Sequence, residues 1–404
     1  MSLQLSRELL LECAKEYGTP VYVYHAERIR EQYFKLLHAF EEVDSKIFYA
    51  CKALTNINIL KYIKSIGCHV DCGSINEVRL ALKAGFEARN ILYTSNSINF
   101  TEILMAQQCG VNISIDSISN LEKFGKEFGR DYPVGIRIRP DILAGGNFKI
   151  STGHENSKFG IPLDSIGKVL DVANQYRLNI HGLNIHTGSE IQDIEVFARG
   201  IEVLFELASQ FPDLKFLDLG GGFKVPYMPG EKGTDIDQLG KKVKEEFEAF
   251  EKKHKRHLQV WFEPGKFLVS EAGYFITRVN VLKQSASITF AGIDSGLNHF
   301  IRPMFYGSYH NIENISNPIA GLKKYTVVGN ICETDTFAEN RLLNEVNEGD
   351  YLVFSNAGAY CFEMASNYNS RFKPPEVLIM NGKASLIRKR DVFEDLLTNQ
   401  LELL

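Results

Sequence analysis

At 404 residues, with 44% hydrophobic and 24% charged side chains, the chain has the make-up of a globular protein long enough for two domains. A net charge of −5 without a long basic tract excludes a general nucleic-acid binder, and no apolar run approaches the roughly 20 residues of a membrane span. Seven scattered cysteines without zinc-like Cys/His spacing point to reduced thiols, and no signal-peptide pattern opens the chain, so a cytoplasmic protein is expected.

Ser2 to Tyr17 has the spacing of an amphipathic, charged helix, which Gly18-Thr19-Pro20 ends; Val21 to Tyr24 then reads as a strand. Lys46-Ile47-Phe48-Tyr49-Ala50-Cys51-Lys52 is apolar and aromatic like a buried strand, yet it closes on a lysine. Such a lysine snorkels to solvent, pairs, or works as a desolvated amine, which is what a Schiff base with a carbonyl cofactor requires. From here a rhythm sets in. Strands are predicted over 46–52, 68–72, 90–95, 111–116 and 133–139, roughly 22 residues apart, with helices such as Asn76 to Ala84 and Phe100 to Gln108 between them. Strands over 180–186, 215–219 and 259–263 bring the count to eight, the pattern of a (β/α)8 TIM-type barrel. A doubly wound open sheet shares the alternation. The Lys252-to-His257 run closes a Lys- and Glu-rich helix and reads as a solvated face.

Polar residues collect where these strands end: Lys52, Asp71, Ser95, Asp116, Arg137 with Arg139, His186, Gly220 to Gly222, and Glu263. In a barrel that edge is where active sites lie. After about residue 277 the texture changes, with strands such as Ser287 to Ile293, Tyr325 to Gly329 and Asp350 to Phe354 separated by turns. We therefore expect a barrel over 26–277 and a C-terminal β-rich domain over 278–404. The Val21-to-Tyr24 strand, surplus to eight, joins the second domain with the rest of 1–25.

Leu217-Asp218-Leu219-Gly220-Gly221-Gly222-Phe223 places glycines directly after a buried strand, where backbone N–H groups can approach an anion; a tight turn without a ligand is the plainer reading. Val225 stands where a dinucleotide fingerprint needs its third glycine. Strand alternation puts Asn184 and His186 on one face, although a lone strand histidine is more often structural. Glu263, after Trp261-Phe262, needs a cationic or proton-donating partner, and a pyridinium nitrogen is one such partner.

Together, Tyr49-Ala50-Cys51-Lys52-Ala53, His186-Thr187-Gly188-Ser189, Gly220-Gly221-Gly222-Phe223 and Glu263-Pro264-Gly265-Lys266 resemble the motifs of the alanine-racemase-like pyridoxal-phosphate decarboxylases. Asp294 to Tyr306, Val328 to Glu333, and Asn356 to Tyr360 with Met364 to Arg371 narrow the resemblance to the diaminopimelate decarboxylase family, over nearly the whole chain and in order. The resemblance implies a pyridoxal 5'-phosphate enzyme acting on a small amino-acid substrate, with no nucleic-acid or membrane partner. Lys52 would hold the cofactor, Glu263 would keep its ring nitrogen protonated, and His186 would pack on its face. Ser189, Gly221, Gly222 and Tyr360 would bind phosphate, within a cofactor set that also takes in Asp71, Arg137, Gly220, Gly265 and Lys266. Cys332 would protonate the carbanion, Glu333 would meet a distal amine, and Arg302 with Tyr306 would grip a distal carboxylate. Cys332 and Glu333 would serve the partner subunit's site in a homodimer.

Two departures stand out. Lys266 replaces the family's arginine, which touches cofactor phosphate and substrate carboxylate, so a point charge takes the place of a planar fork. Cys332-Glu333-Thr334-Asp335-Thr336 replaces the usual C-E-S-x-D. Three rivals share parts of the pattern: a decarboxylase of carboxynorspermidine or a basic amino acid, an amino-acid racemase, and a non-catalytic binding relative.

Overall fold

The computed structural model describes residues 3–142 and 157–403. They form two compact units, one of Arg30–Val225 and Lys232–Leu268, the other of Met1–Ile29, Pro226–Glu231 and Val269–Leu404. In chain order come α1 (Arg7–Tyr17), β1 (Val21–His25), α2 (Ala26–Ala39), β2 (Ser45–Ala50), α3 (Ile57–Ser65), β3 (His69–Cys72), α4 (Ile75–Ala84), β4 (Ile91–Thr94), α5 (Phe100–Gln108), β5 (Asn112–Ile115) and α6 (Ile118–Phe128). There follow β6 (Val134–Arg139), β7 (Ile161–Pro162), α7 (Ile166–Tyr176), β8 (Ile180–Ile185), α8 (Ile194–Ala208), β9 (Phe216–Asp218), α9 (Ile236–His254), β10 (Gln259–Phe262) and α10 (Lys266–Val269).

In the first unit the parallel strands run β5-β4-β3-β2-β10-β9-β8-β6, and pairing of β5 with β6 closes them into an eight-stranded barrel. Closure removes the open-sheet alternative. Strand β7 was not anticipated: two residues long and paired with β6 alone, it is too short to leave a periodic signal. The helices start where the sequence offers caps. Ser74 accepts from Glu77 N, Asn99 from Glu102 N, and Asp235 from Gln238 N, each a bond that stabilises its helix by about 1 kcal/mol. Inside the barrel Phe216 stacks on Trp261 at 3.4 Å between centroids, and Phe48 lies 4.6 Å from the same indole. Aromatic pairs of this kind add about 1 kcal/mol each beyond area burial.

The second unit adds β11 (Gly273–Ser285), β12 (Ile288–Ile293), α11 (Arg302–Tyr306), β13 (Ile312–Asn314), β14 (Leu322–Val328), β15 (Thr336–Asn344), β16 (Tyr351–Phe354), β17 (Glu376–Met380), β18 (Lys383–Arg388) and α12 (Phe393–Leu397). Strand β1 lies between β11, antiparallel, and β17, parallel. Its Tyr22 and Tyr24 are fully buried, and Tyr24 donates to Glu376 Oε1 at 2.8 Å. Helix α1 packs Leu10, Cys13 and Ala14 onto Val21, Val23, Ile276 and Val377. The sequence-based boundary at 277 falls inside β11, which pairs with β1 and β16, and this pairing draws Val269 onward into the β-rich unit.

Burial within the barrel unit pushes the His69 and His181 imidazoles down to about 4. As pH falls from about 6.5 toward 4, the unfolded chain takes up protons that the folded chain refuses, so acid favours unfolding. Each such group withdraws on the order of 3 kcal/mol of stability by the lower limit. A His181→Phe protein should therefore lose less stability than the unmodified chain between about pH 7 and pH 4, measured by denaturant unfolding. Parallel pH slopes for the two proteins would sink the assignment.

Candidate active site

Strand β2 ends at Ala50, and Lys52 follows on a 3-10 turn, Cys51–Ala53, not within the strand. Its side chain is 48% exposed, with Nζ 3.5 Å from Oδ2 of the buried Asp71 at the end of β3. Asp71 Oδ1 in turn accepts a hydrogen bond from Thr94 at the end of β4. The lysine is therefore both accessible and held by a fixed carboxylate.

Glu263, just past β10, is buried and receives a hydrogen bond from Asn184 Nδ2 at 3.4 Å. Burial, with repulsion from Asp218 and Asp71, pushes its carboxyl well above the usual range, although Lys52 and Arg137 oppose this. Asp218 is pushed up to about 6 by burial, while hydrogen bonds from Gly220 N and Glu263 favour its ionised form. Crowded carboxyls of this kind share protons instead of all ionising. Arg137 sits among Glu263, Asp116, Asp71 and Asp218, whose charges support its guanidinium against burial.

The loops after β8 and β9 are stitched together. Gly221 N donates to His186 Nδ1 at 3.3 Å, and Ile191 N donates to Gly222 O at 2.9 Å. Because Nδ1 accepts, a neutral His186 carries its proton on Nε2. Burial, then the Arg137 and Lys52 charges, push this imidazole well below its ordinary value, so it is neutral at pH 7. A Cβ on Gly221 would come within 2.3 Å of Glu263 O, and one on Gly222, at φ +94°, within 2.1 Å of Gly188 O. Only glycine fits this loop. Ser189 is half-buried in the same turn, and Gly265 O accepts from Leu268 N at 3.2 Å as α10 begins. Lys266, 11% exposed, forms an ion pair with Glu190.

In the β-rich unit, Arg302 is buried with its guanidinium 5.7 Å from the Tyr227 ring and 5.4 Å from the Tyr306 ring. Cys332 and Glu333 are exposed on the turn before β15 and share the Tyr368 hydroxyl, at 3.4 Å from the sulfur and 2.9 Å from Glu333 Oε1. Hydrogen bonds from Tyr368 and Asn369 lower the Cys332 thiol from its ordinary value, against the Glu333 charge. Tyr360 is half-buried with φ +57°.

The barrel thus brings Lys52, Asp71, Arg137, His186, Gly220 to Gly222 and Glu263 to the C-terminal ends of its strands, while the β-rich unit pairs Arg302 with Tyr306 and Cys332 with Glu333. Sequence reasoning missed Thr94, Asp218 and Glu190 as parts of the site. Asp218 left a signal, a carboxylate in a buried strand next to the glycines; Thr94 left none, because its bond to Asp71 depends on the pairing of β3 with β4. The donor set suits a phosphorylated pyridine aldehyde. It combines an accessible amine, a buried acid cluster that a protonated ring nitrogen would neutralise, and glycine N–H groups beside a lysine for the phosphate.

Residues 26–270 match the family described as pyridoxal-dependent decarboxylase, pyridoxal binding domain. Over 96% of its length the chain is 39% identical to the diaminopimelate decarboxylase of Methanothermobacter thermautotrophicus, covering 93% of that protein. It is 34% identical to that of Escherichia coli K12, over 98% of this chain and 97% of the other. The crystal structure of diaminopimelate decarboxylase from Helicobacter pylori complexed with L-lysine superposes with a TM-score of 0.87 at 30% identity, covering 96% of this chain and 98% of that one. The chain belongs to the diaminopimelate decarboxylase family of pyridoxal-dependent decarboxylases.

Proposed function

We propose that this chain removes the carboxylate from the D-centre of meso-2,6-diaminopimelate, releasing CO2 and L-lysine in the last step of lysine biosynthesis. The observation that carries this reading is the joint placement of Lys52, His186, Glu263 and the glycine loop on one edge of the barrel, in a chain similar along nearly its whole length to diaminopimelate decarboxylases. That the Helicobacter pylori relative is complexed with L-lysine supports the product. When bound, pyridoxal phosphate supplies an electron sink for the pair left as CO2 departs. The decisive assay incubates purified protein and cofactor with meso-diaminopimelate and measures CO2 and lysine. Cadaverine, carboxynorspermidine turnover or racemised substrate in their place would favour a rival.

Lys52 would supply the amine that holds the cofactor aldehyde. Glu263 would face the protonated ring nitrogen, whose positive charge would offset the burial and the carboxylate repulsion that otherwise push the Glu263 carboxyl up. Neutral His186, tied to the glycine loop through Gly221 N, would help to hold the cofactor ring without adding charge. Ser189, the N–H groups of Gly221 and Gly222, and Tyr360 would bind the phosphate, and Lys266 would add a charge whose direction is set by Glu190. Cys332 would supply the proton that replaces the lost carboxylate.

Diaminopimelate also carries a distal amine and a distal carboxylate. Glu333 receives the amine, while Arg302 and Tyr306 take the carboxylate. A site with a fixed buried cation disfavours ornithine, which has no distal carboxylate. Arg302→Ala should lower kcat/KM about tenfold to a hundredfold, the scale of one or two charged hydrogen bonds, and leave the bound-cofactor spectrum unchanged. Near-normal efficiency in that variant, or ornithine outcompeting diaminopimelate in the unmodified protein, would end the assignment.

The active species is a homodimer in which Cys332 and Glu333 serve the partner's site. Their exposure supports this, since proton delivery to a carbanion works best under cover from water. No helix among the described residues is long and apolar enough to cross a membrane.

A further inference from the structure

The Met364-to-Arg371 motif helps to define the family resemblance, yet the mechanism above assigns it no task. Its turn lies against the Cys332 turn. Asn369 has left-handed backbone, φ +55°, a conformation asparagine tolerates better than most side chains. The side chain then meets Cys332 at two points. Oδ1 accepts from Cys332 N at 3.0 Å, and Nδ2 donates to Sγ at 3.2 Å. Arg371 braces the same place, donating from Nη2 to Asn330 O at 2.9 Å, while Asn367 Nδ2 holds Arg371 O at 2.9 Å and Asp391 Oδ2 at 3.0 Å.

The two bonds from Asn369 are not independent. A backbone N–H can only donate, so it requires the amide oxygen on its side, which turns the amide NH2 toward the sulfur. Tyr368, by contrast, has one hydroxyl proton to share between Sγ and Glu333 Oε1. Asn369 is therefore the donor that the sulfur keeps whatever Tyr368 does. A donor aimed at sulfur favours thiolate over thiol, and a two-point grip restricts rotation of an otherwise exposed side chain.

We propose that Asn369 is a positioning residue for Cys332: it fixes the direction of the sulfur and stabilises the charge left there after the proton is given up. The idea rests on Cys332 being the proton donor. The titratable groups facing the sulfur are Tyr368 and Glu333, and the Glu333 charge opposes ionisation.

The test reads the thiol directly, in the full-length protein with cofactor bound. Iodoacetamide alkylation of Cys332 is followed by mass spectrometry across pH in the unmodified chain, Asn369→Gly and Asn369→Asp. Glycine keeps the left-handed backbone and deletes the amide, while aspartate keeps the acceptor for Cys332 N and replaces the donor with a charge. At neutral pH alkylation should slow about three- to tenfold in Asn369→Gly, the scale of one hydrogen bond, and further in Asn369→Asp, with the midpoint of each profile moved upward. The kcat should fall while the Lys52-bound cofactor spectrum holds. Coincident profiles in the three proteins, or a midpoint moved downward, overturn the proposal. Cys332→Ala kinetics test the donor role separately: unaltered kcat there removes the reading beneath the proposal, whatever the alkylation shows.

Discussion

Borohydride reduction of the cofactor-loaded protein should fix a pyridoxyl group on Lys52 and on no other lysine, and Lys52→Ala should lose the label together with activity, by on the order of a thousandfold or more. The reasons are local. Lys52 leaves β2 on a single turn, beside a buried carboxylate whose other oxygen is engaged by Thr94. Its aim is therefore set by backbone and by a neighbour that cannot move far. A competing lysine at this edge, Lys266, is paired with Glu190, which occupies its ammonium with a carboxylate. Label recovered on Lys266, or Lys52→Ala retaining turnover, would move the cofactor elsewhere.

The second large effect concerns Cys332. Removing a general acid costs about a hundredfold to ten-thousandfold, so Cys332→Ala should be nearly inactive while keeping its cofactor. Because Cys332 and Lys52 belong to different units of the chain, the shared-site reading adds a sharper expectation. Mixed dimers of Lys52→Ala with Cys332→Ala contain one site with both lesions and one with neither. Co-refolding or subunit exchange of equal amounts of these two inactive proteins should thus restore activity toward about a quarter that of the unmodified dimer, since about half of the dimers are mixed and each of those has one intact site. If mass spectrometry confirms exchange and activity stays absent, the two residues act within one subunit.

The sequence alone determined the alternation of eight parallel-type strands with helices, because each strand reads as a short apolar run with a polar residue at or just past its end. Lys52, His186 and Glu263 were legible for that reason: a charged or titratable side chain closing an apolar strand violates the local pattern and advertises itself. The predicted strand ends fall within a residue or two of β2 to β6 and β8 to β10. The second domain was legible as texture, and the surplus strand at Val21 could be set aside simply by counting. The residues proposed to complete the chemistry carried no such mark within the sequence reading, and so the resemblance to a family supplied Arg302, Glu333 and Tyr360.

Tertiary structure alone decided the rest. Closure depends on β5 meeting β6, a contact that alternation cannot distinguish from an open edge. That Asp218 and Glu263 compete for protons follows from β9 lying next to β10, which brings two buried carboxyls together. Whether Lys266 acts as a free charge or a directed one depends on Glu190, which lies 76 positions away in the chain. Asn369 reaches Cys332 across 37 positions. Periodicity describes what one segment buries, but these pairs are made by segments distant in sequence, and a hydrogen bond or a shared proton exists only once folding has set the distance between them.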